Sequence, residues 1–302
     1  MSGEVLTRRS GAVDRSGAVN RPRSVRRFRP RLRWAGVAFI LAWSLIPLYW
    51  ALNSSLQTDA QVSARPAHYL PPHATLRNFK ALLVGGGEIP PQIRRSALNI
   101  FVECGAATVV TVALATLAAY AFARMRFRGR NLLFYGVLAT MALPAYATLI
   151  PLYRMMSSVG LVNTYTGIVL VYVSGFLPLA TWILHNYMLA LPLEIEEAAM
   201  MDGASRMQVL GRIVLPLALP GIISTTIITF LFAWGQFLFP LVLSSDISTQ
   251  PLTVVITALQ GRHVVPYSLL SAGGVLSVAV PALIVMSLNR YIVSGLLAGS
   301  VK

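Results

Sequence analysis

The stretch EEAAMMDGASRMQVLGRIVLP, Glu196 to Pro216, places two adjacent carboxylates, a glycine and a closing proline between two long apolar runs. Paired carboxylates act as acid and base when both face one substrate in a desolvated site. Adjacent residues on a helix point about 100° apart, so Glu196 and Glu197 do not face each other. No nucleophile stands beside them in the sequence. The stretch reads instead as helix, turn, helix. Pro192 suits a first helical turn, and Glu194, Glu196 and Glu197 lie early, where carboxylates favour the positive helix end. Gly203 supplies a left-handed residue that ends the first helix. Ser205 with Gln208 matches a capping box for a second. Met207, Leu210 and Val214 recur there at helical spacing until Pro216, which is expected to stop the helix. These residues alone leave two readings open: a solvated amphipathic loop, or an element that docks a partner protein.

Other chemistry is sparse. There is no GxxxxGK[ST] phosphate cradle, and the only lysines are Lys80 and Lys302. Gly85-Gly86-Gly87-Glu88 lacks the following Lys-Ser/Thr and reads as a flexible turn. His68, His73, His185 and His263 form no HExxH or paired metal spacing. His185, beside Asn186, reads as a satisfied interfacial histidine. Cys104 is the single cysteine, so no disulfide framework or CxxC metal site exists; its neighbours Gly105 and Ala106 suit a small packing residue. Glu103 is the one carboxylate inside an apolar run, a functional candidate by default. Its nearness to Arg94 and Arg95 also leaves an interfacial ion pair open. No relay of Asp, Glu and His threads the apolar runs, which argues against proton-coupled transport. A membrane enzyme would need a Ser-Lys, HExxH or paired-aspartate constellation, and none is present.

The elements that hold these residues are membrane spans. The 302 residues are 56% hydrophobic and only 12% charged, with a mean hydropathy of +0.66, against about 25% charge in a soluble domain. Six apolar segments are long enough to cross a bilayer: 34–54, 97–123, 132–153, 165–191, 217–244 and 269–293. The run after Arg33 is expected to be an uncleaved first span. Ten Arg against Glu4 and Asp14 put +8 of the net +15 into residues 1–33. This tail repeats RSGAV at Arg9–Val13 and Arg15–Val19 and shows no apolar periodicity, so it is expected to be disordered. It orients the first span rather than binding nucleic acid. With Arg124, Arg126, Arg128 and Arg130 in the short loop between the second and third spans, the positive-inside rule places the tail, both termini and the 192–216 loop in the cytoplasm. Pro47, Pro144, Pro151, Pro178, Pro240 and Pro281 are expected to kink spans. Ala115, Ala119 and Ala123 form a small-residue face that lets helices approach closely. The expected fold is therefore an all-α integral membrane protein: a disordered tail over 1–33, then a six-span domain over 34–302. High arginine and alanine with little lysine suit a GC-rich bacterium, with the chain multi-pass in its plasma membrane.

Glu197-Ala198-Ala199, three residues, Gly203, nine residues, then Ile213-Val214-Leu215-Pro216 resembles the EAA motif of permease subunits in binding-protein-dependent ABC importers. The segment Phe230–Pro240 is similar to span five of the carbohydrate permeases, with Gly235-Gln236 where the family has Asn-Glu. The ending Gly295-Leu296-Leu297-Ala298-Gly299-Ser300-Val301-Lys302 resembles that family's Gly-Leu-x-x-Gly-x-Val-Lys tail. The likeness runs from about Arg33 to Lys302 and suits the maltose-type second permease.

The resemblance implies a coupling helix seated in a cleft of a cytoplasmic ATPase. Glu197 would be a polar contact, Ala198 and Ala199 would allow close approach, Gly203 would make the turn, and Ile213, Leu215 and Pro216 would complete the motif. Asp202, Arg206, Arg212, Gly299 and Lys302 are further candidate ATPase contacts; Tyr146, Trp234 and Gln236 are candidates for a substrate pathway. Partners would be a second permease in a heterodimer, two ATPase subunits binding ATP and Mg, an extracytoplasmic solute-binding protein and a sugar. This chain would bind no cofactor and catalyse no reaction. A glycerol phosphodiester, polyamine or amino acid is the alternative solute class. Switching a two-state bundle from 1:99 to 99:1 needs roughly 5.5 kcal/mol of differential binding, which a partner ATPase would have to supply.

Overall fold

A computed structural model describes residues 30–84, 92–246, 248–258 and 266–298. Most of the basic tail, the Gly85–Glu88 turn, His263, and Gly299 and Lys302 lie outside the described residues. All the described elements are helical: α1 Pro30–Ser55, α2 Asp59–Val62, α3 Arg77–Val84, α4 Gln92–Arg124, α5 Arg130–Ala139, α6 Ala145–Ser158, α7 Tyr165–Leu189, α8 Leu193–Met201, α9 Arg206–Val209, α10 Leu215–Trp234, α11 Leu238–Leu243, α12 Leu252–Ala258 and α13 Tyr267–Ala298. Contacts divide the chain into 1–47 and 48–302. In the first unit, α1 begins at Pro30, inside the stretch read as tail, and the rings of Phe39 and Trp43 stack at 6.1 Å.

Five stretches of helix are long and apolar enough to cross a membrane: Trp34–Ser55, Arg94–Arg124, Tyr165–Leu189, Arg206–Trp234 and Tyr267–Leu288. The sixth expected span, 132–153, is not one helix. Arg130–Ala142 and Ala145–Ser158 meet at an angle of 102°. Pro144 explains the bend. It lacks an N–H and disfavours helical backbone at the residue before it, and Leu143 is extended with ψ 123°. Pro47, Pro151, Pro178 and Pro281 are accommodated inside helices.

The span read as 217–244 also differs at both ends. It starts at Arg206, because Pro216 does not stop the helix. A π-helical turn at Leu210–Val214 joins α9 to α10. The wider turn accommodates a residue that cannot donate to the preceding turn and whose ring crowds it. The apolar run then breaks after Trp234, at Gly235, before the short α11.

The core of the second unit is α4, which packs chiefly on α7 and also on α10, with α10 against α13. Small residues set the spacing. Ala115 and Ala119 of α4 are fully buried with Ala180, Leu184 and Met188 of α7 in one cluster, as the small-residue face predicts. A Cβ on Gly221 of α10 would lie 2.5 Å from the Tyr187 ring of α7, so that crossing requires glycine. Cys104 is buried among Ile100, Ala107, Ile168 and Tyr172, a packing residue as expected. Glu103 corrects its ion-pair reading. It is 0% exposed, and neither carboxyl oxygen has a partner. Arg94 and Arg95 are exposed on the same helix.

Candidate functional site

The stretch from Leu191 to Pro216 forms an elbow. Pro192 is the N-cap of α8, whose first turn carries Glu194 and Glu196. The chain turns at Gly203, with φ +88°. Open space surrounds the position its Cβ would take, so backbone conformation alone asks for glycine. Ser205 Oγ accepts from the Gln208 N–H at 3.4 Å, and Gln208 Oε1 accepts from the Ser205 N–H at 2.8 Å, closing the expected capping box.

The elbow has two unlike faces. Inward, Ala199, Met200 and Ala204 pack against Val209, Leu210 and Val214, and through them against Ala119 and Tyr120 of α4 and Leu184 and Met188 of α7. Outward, Leu193, Glu197 and Met201 follow one another at four-residue spacing, all exposed, Met201 at 88%. Ala198, Asp202, Gly203, Arg206, Arg212 and Met207 are exposed as well, Met207 at 69%. Ile213 and Leu215 are half-buried and Pro216 is exposed.

The two adjacent glutamates therefore have separate environments. Glu197 is exposed, whereas Glu196 is buried and paired with Arg124, the last residue of α4. Arg124 Nε donates to Glu196 Oε1 at 2.7 Å, with side-chain exposures of 8% and 4%. Its second arm, Nη2, donates to the Leu191 carbonyl at 3.0 Å. This is the one ion pair among the described residues. The sequence reading passed over it because 72 positions separate the partners. A signal was present in the helical stripe. Glu196 shares a face with Ala199 and Met200, and Glu197 shares one with Leu193 and Met201.

The pathway candidates occupy unlike surroundings. Tyr146 is 80% exposed on α6, near the bend. A shallow apolar groove beside it is lined by Leu143, Pro144, Ala147 and Pro151. Trp234 is buried: its ring meets Phe101 edge-on at 4.9 Å, and its Nε1 donates to the Ser277 carbonyl at 2.9 Å. Gln236 lies in the break after α10, where its carbonyl accepts from Thr253 Oγ1 at 3.2 Å. His185 packs on Phe134 at 4.3 Å and hydrogen-bonds the Phe122 backbone, while its Nδ1 has no partner. Among the described residues no three His, Cys, Asp or Glu side chains group as a metal site.

The family described as binding-protein-dependent transport system inner membrane component matches residues 111–297. This chain belongs to that family. The match takes in α4 from position 111 onward, the elbow and the helices that follow it. The osmoprotective compounds uptake permease protein GgtD of Synechocystis sp. is 40% identical over 68% of this chain and 69% of its own length. The trehalose/maltose transport system permease protein MalG of Thermococcus litoralis is 34% identical over 85% of this chain and 91% of its own. A chain from a bacterial ABC transporter involved in the import of the acidic polysaccharide alginate shares the fold with a TM-score of 0.71 at 22% identity, over 87% and 98% of the two chains. The protein is thus a multi-pass membrane permease component of an ABC transporter. Both relatives are transporter permease subunits.

Proposed function

We propose that this permease component imports a sugar or related oligosaccharide, delivered by an extracytoplasmic binding protein, and that the α8–α9 elbow is its socket for an ATPase. The observation that carries the proposal is the outward face of the elbow: Met201, Met207 and Leu193 exposed around Glu197, on a base buried into α4 and α7. Exposed methionines rimmed by charge mark a docking surface. Ala198 lets a partner backbone approach, and Asp202, Arg206 and Arg212 supply polar contacts at the rim.

In this reading the elbow end of the unit lies in the cytoplasm, as the arginines at positions 124–130 direct. The opposite end then faces the binding protein. Two ATPase subunits hold ATP and Mg, and a second, different permease completes the membrane pair in a prokaryotic plasma membrane. Closure of the ATPases moves the elbow and switches the membrane unit between inward- and outward-facing states. Gly299 and Lys302 are further candidate contacts with the ATPase. The sugar reading is supported by the trehalose/maltose and alginate systems to which the chain is similar.

Two measurements test this. Mild detergent extraction from native membranes is expected to co-purify an ATPase that Glu197→Lys releases; an ATPase retained by that variant counts against the socket. Uptake of labelled trehalose and maltose is expected to fall to background in a strain deleted for this chain. Undiminished uptake of both, with loss of another solute, would move the substrate out of the sugar class.

A further inference from the structure

The one ion pair among the described residues lies where the elbow meets the longest described helix. Arg124 closes α4, where its charge also complements the negative helix end. Its guanidinium is shared between Glu196, in the first turn of α8, and the Leu191 carbonyl, in the connection from α7. One side chain thus pins three elements at a point. Around this pair, Val209, Leu210 and Val214 pack on Ala119, Tyr120, Leu184 and Met188 through apolar contacts. Apolar contacts are non-directional and tolerate sliding, whereas a charge-assisted hydrogen bond fixes position and direction.

Helix α4 continues from this point for 33 residues, a rod of about 50 Å. Near its other end, Asn99 Nδ2 donates to the carbonyls of Ser248 and Gln250, both at 3.0 Å, and Asn99 Oδ1 accepts from the Tyr165 hydroxyl at 2.7 Å. The rod is therefore fastened by directional bonds at both ends and packed along its length on α7 and α10. A displacement of α8 passes to α4 only if the joint between them holds. The contact of Glu196 is internal, so it adds nothing to the outward face on which a partner would sit.

We infer that Arg124 and Glu196 are positioning residues for transport: their buried pair locks the elbow to α4, so that movement of the elbow drives α4 instead of being absorbed by slippage. This rests on the elbow being the ATPase socket.

The test uses the whole complex purified from native membranes, with Cys104→Ala and a reporter thiol at Arg94→Cys. Arg94 is exposed at the far end of α4. Labelling of that thiol by a maleimide is measured with and without a non-hydrolysable ATP analogue. With Glu196 intact, the analogue is expected to change the labelling rate at least threefold. With Glu196→Gln, the change is expected to fall below 1.5-fold, while ATPase content and nucleotide binding stay at the parent level. A merely structural role would lower abundance and nucleotide binding together and leave the response of the surviving complex intact. An unchanged response in Glu196→Gln overturns the joint, as does a parent complex whose α4 end ignores nucleotide. If Glu196→Gln does not accumulate, Glu196→Asp carries the test, because it keeps the charge and withdraws the carboxylate by one methylene. Its response is expected to drop at least twofold, and a parent-level response there also overturns the inference. Loss of the ATPase from the parent complex would instead remove the socket reading, and the joint with it.

Discussion

The two ends of the helical unit are fastened by different chemistry. At the elbow end, a single charged pair, Arg124–Glu196, holds α8 to α4. At the opposite end the ties are chiefly neutral side-chain amides, and they are redundant. Asn53 donates to the His68 carbonyl at 2.9 Å, and Asn78 donates to the carbonyls of Ser55 and Gln57, both at 2.9 Å. Asn99 bridges Ser248, Gln250 and Tyr165 as above, and Asn163 Oδ1 accepts from the backbone N–H groups of Ser245 and Asp246 at 2.7 and 3.0 Å. Asp246, outside the spans, has its carboxyl held below the usual range by the N–H of Ser248. Side-chain amides satisfying several loop carbonyls make a stapled surface in which no single bond decides the outcome. A lone buried pair makes a joint that fails all at once. The contrast assigns stability to one end and transmission to the other.

The largest expected effect follows from that difference. Arg124→Ala leaves Glu196 buried without its partner, which costs about 3–5 kcal/mol. It is expected to lower the unfolding temperature of the purified complex more than any single amide change at the opposite end. The double replacement Arg124→Met with Glu196→Leu removes both charges, and buried pairs replaced in this way are about neutral in stability. That variant should regain the parent unfolding temperature without regaining uptake of labelled trehalose or maltose. Recovery of both properties together would mean that packing, not the pair, does the coupling.

At the stapled end, Asn99→Ala strips the side-chain donor from the Gln250 carbonyl and leaves the Ser248 carbonyl and the Tyr165 hydroxyl only each other, at 3.2 Å. The expected cost is about 1–3 kcal/mol, read as a smaller drop in unfolding temperature. Because Asn53, Asn78 and Asn163 remain, the rest of that end should stay ordered to hydrogen exchange. Exchange that spreads to 53–57 would show that the staples act as one unit.

Gly203→Val imposes a side chain at φ +88° with nothing nearby to clash, so its cost is backbone strain of about 1–2 kcal/mol. Gly203→Asn is expected to cost less, because Asn tolerates the left-handed region. If the elbow is a socket, Gly203→Val should abolish uptake while the protein stays in the membrane at near-parent abundance. Parent-level uptake by that variant would contradict the docking role.

What could be read from the sequence was what is local. Gly203, the Ser205–Gln208 box and the Ala115–Ala119 face each act within a few residues, and each is present in the structure. The five spans 34–54, 97–123, 165–191, 217–244 and 269–293 were located by apolar runs, though 217–244 needed revised ends. What could not be read depends on partners distant in sequence or on how a proline is resolved. Pro144 and Pro216 carry the same local signal, yet one bends the chain by 102° and the other rides in a continuous helix. The π turn ahead of Pro216 decides between them, and no residue type announces it. The Arg124–Glu196 pair was hidden for the other reason. Choosing between Glu196 and Glu197 requires knowing which helical stripe faces the core.

The smallest effect on stability belongs to the outward stripe. Met201 is 88% exposed, and a surface substitution away from special features stays within about 0.5 kcal/mol. Met201→Ser should therefore leave the unfolding temperature of the isolated chain unchanged. Its effect is expected on association instead: removing an exposed apolar anchor beside Glu197 should weaken retention of the ATPase through detergent washing, and Met207→Ser should act in the same direction. Methionine serves such a surface because its flexible thioether fits an irregular cleft without being needed by the fold beneath it. A Met201→Ser, Met207→Ser double variant that retains the ATPase as firmly as the parent would leave Glu197 and the arginine rim to carry the contact. The elbow would then be a polar socket, and its exposed methionines would have no docking role.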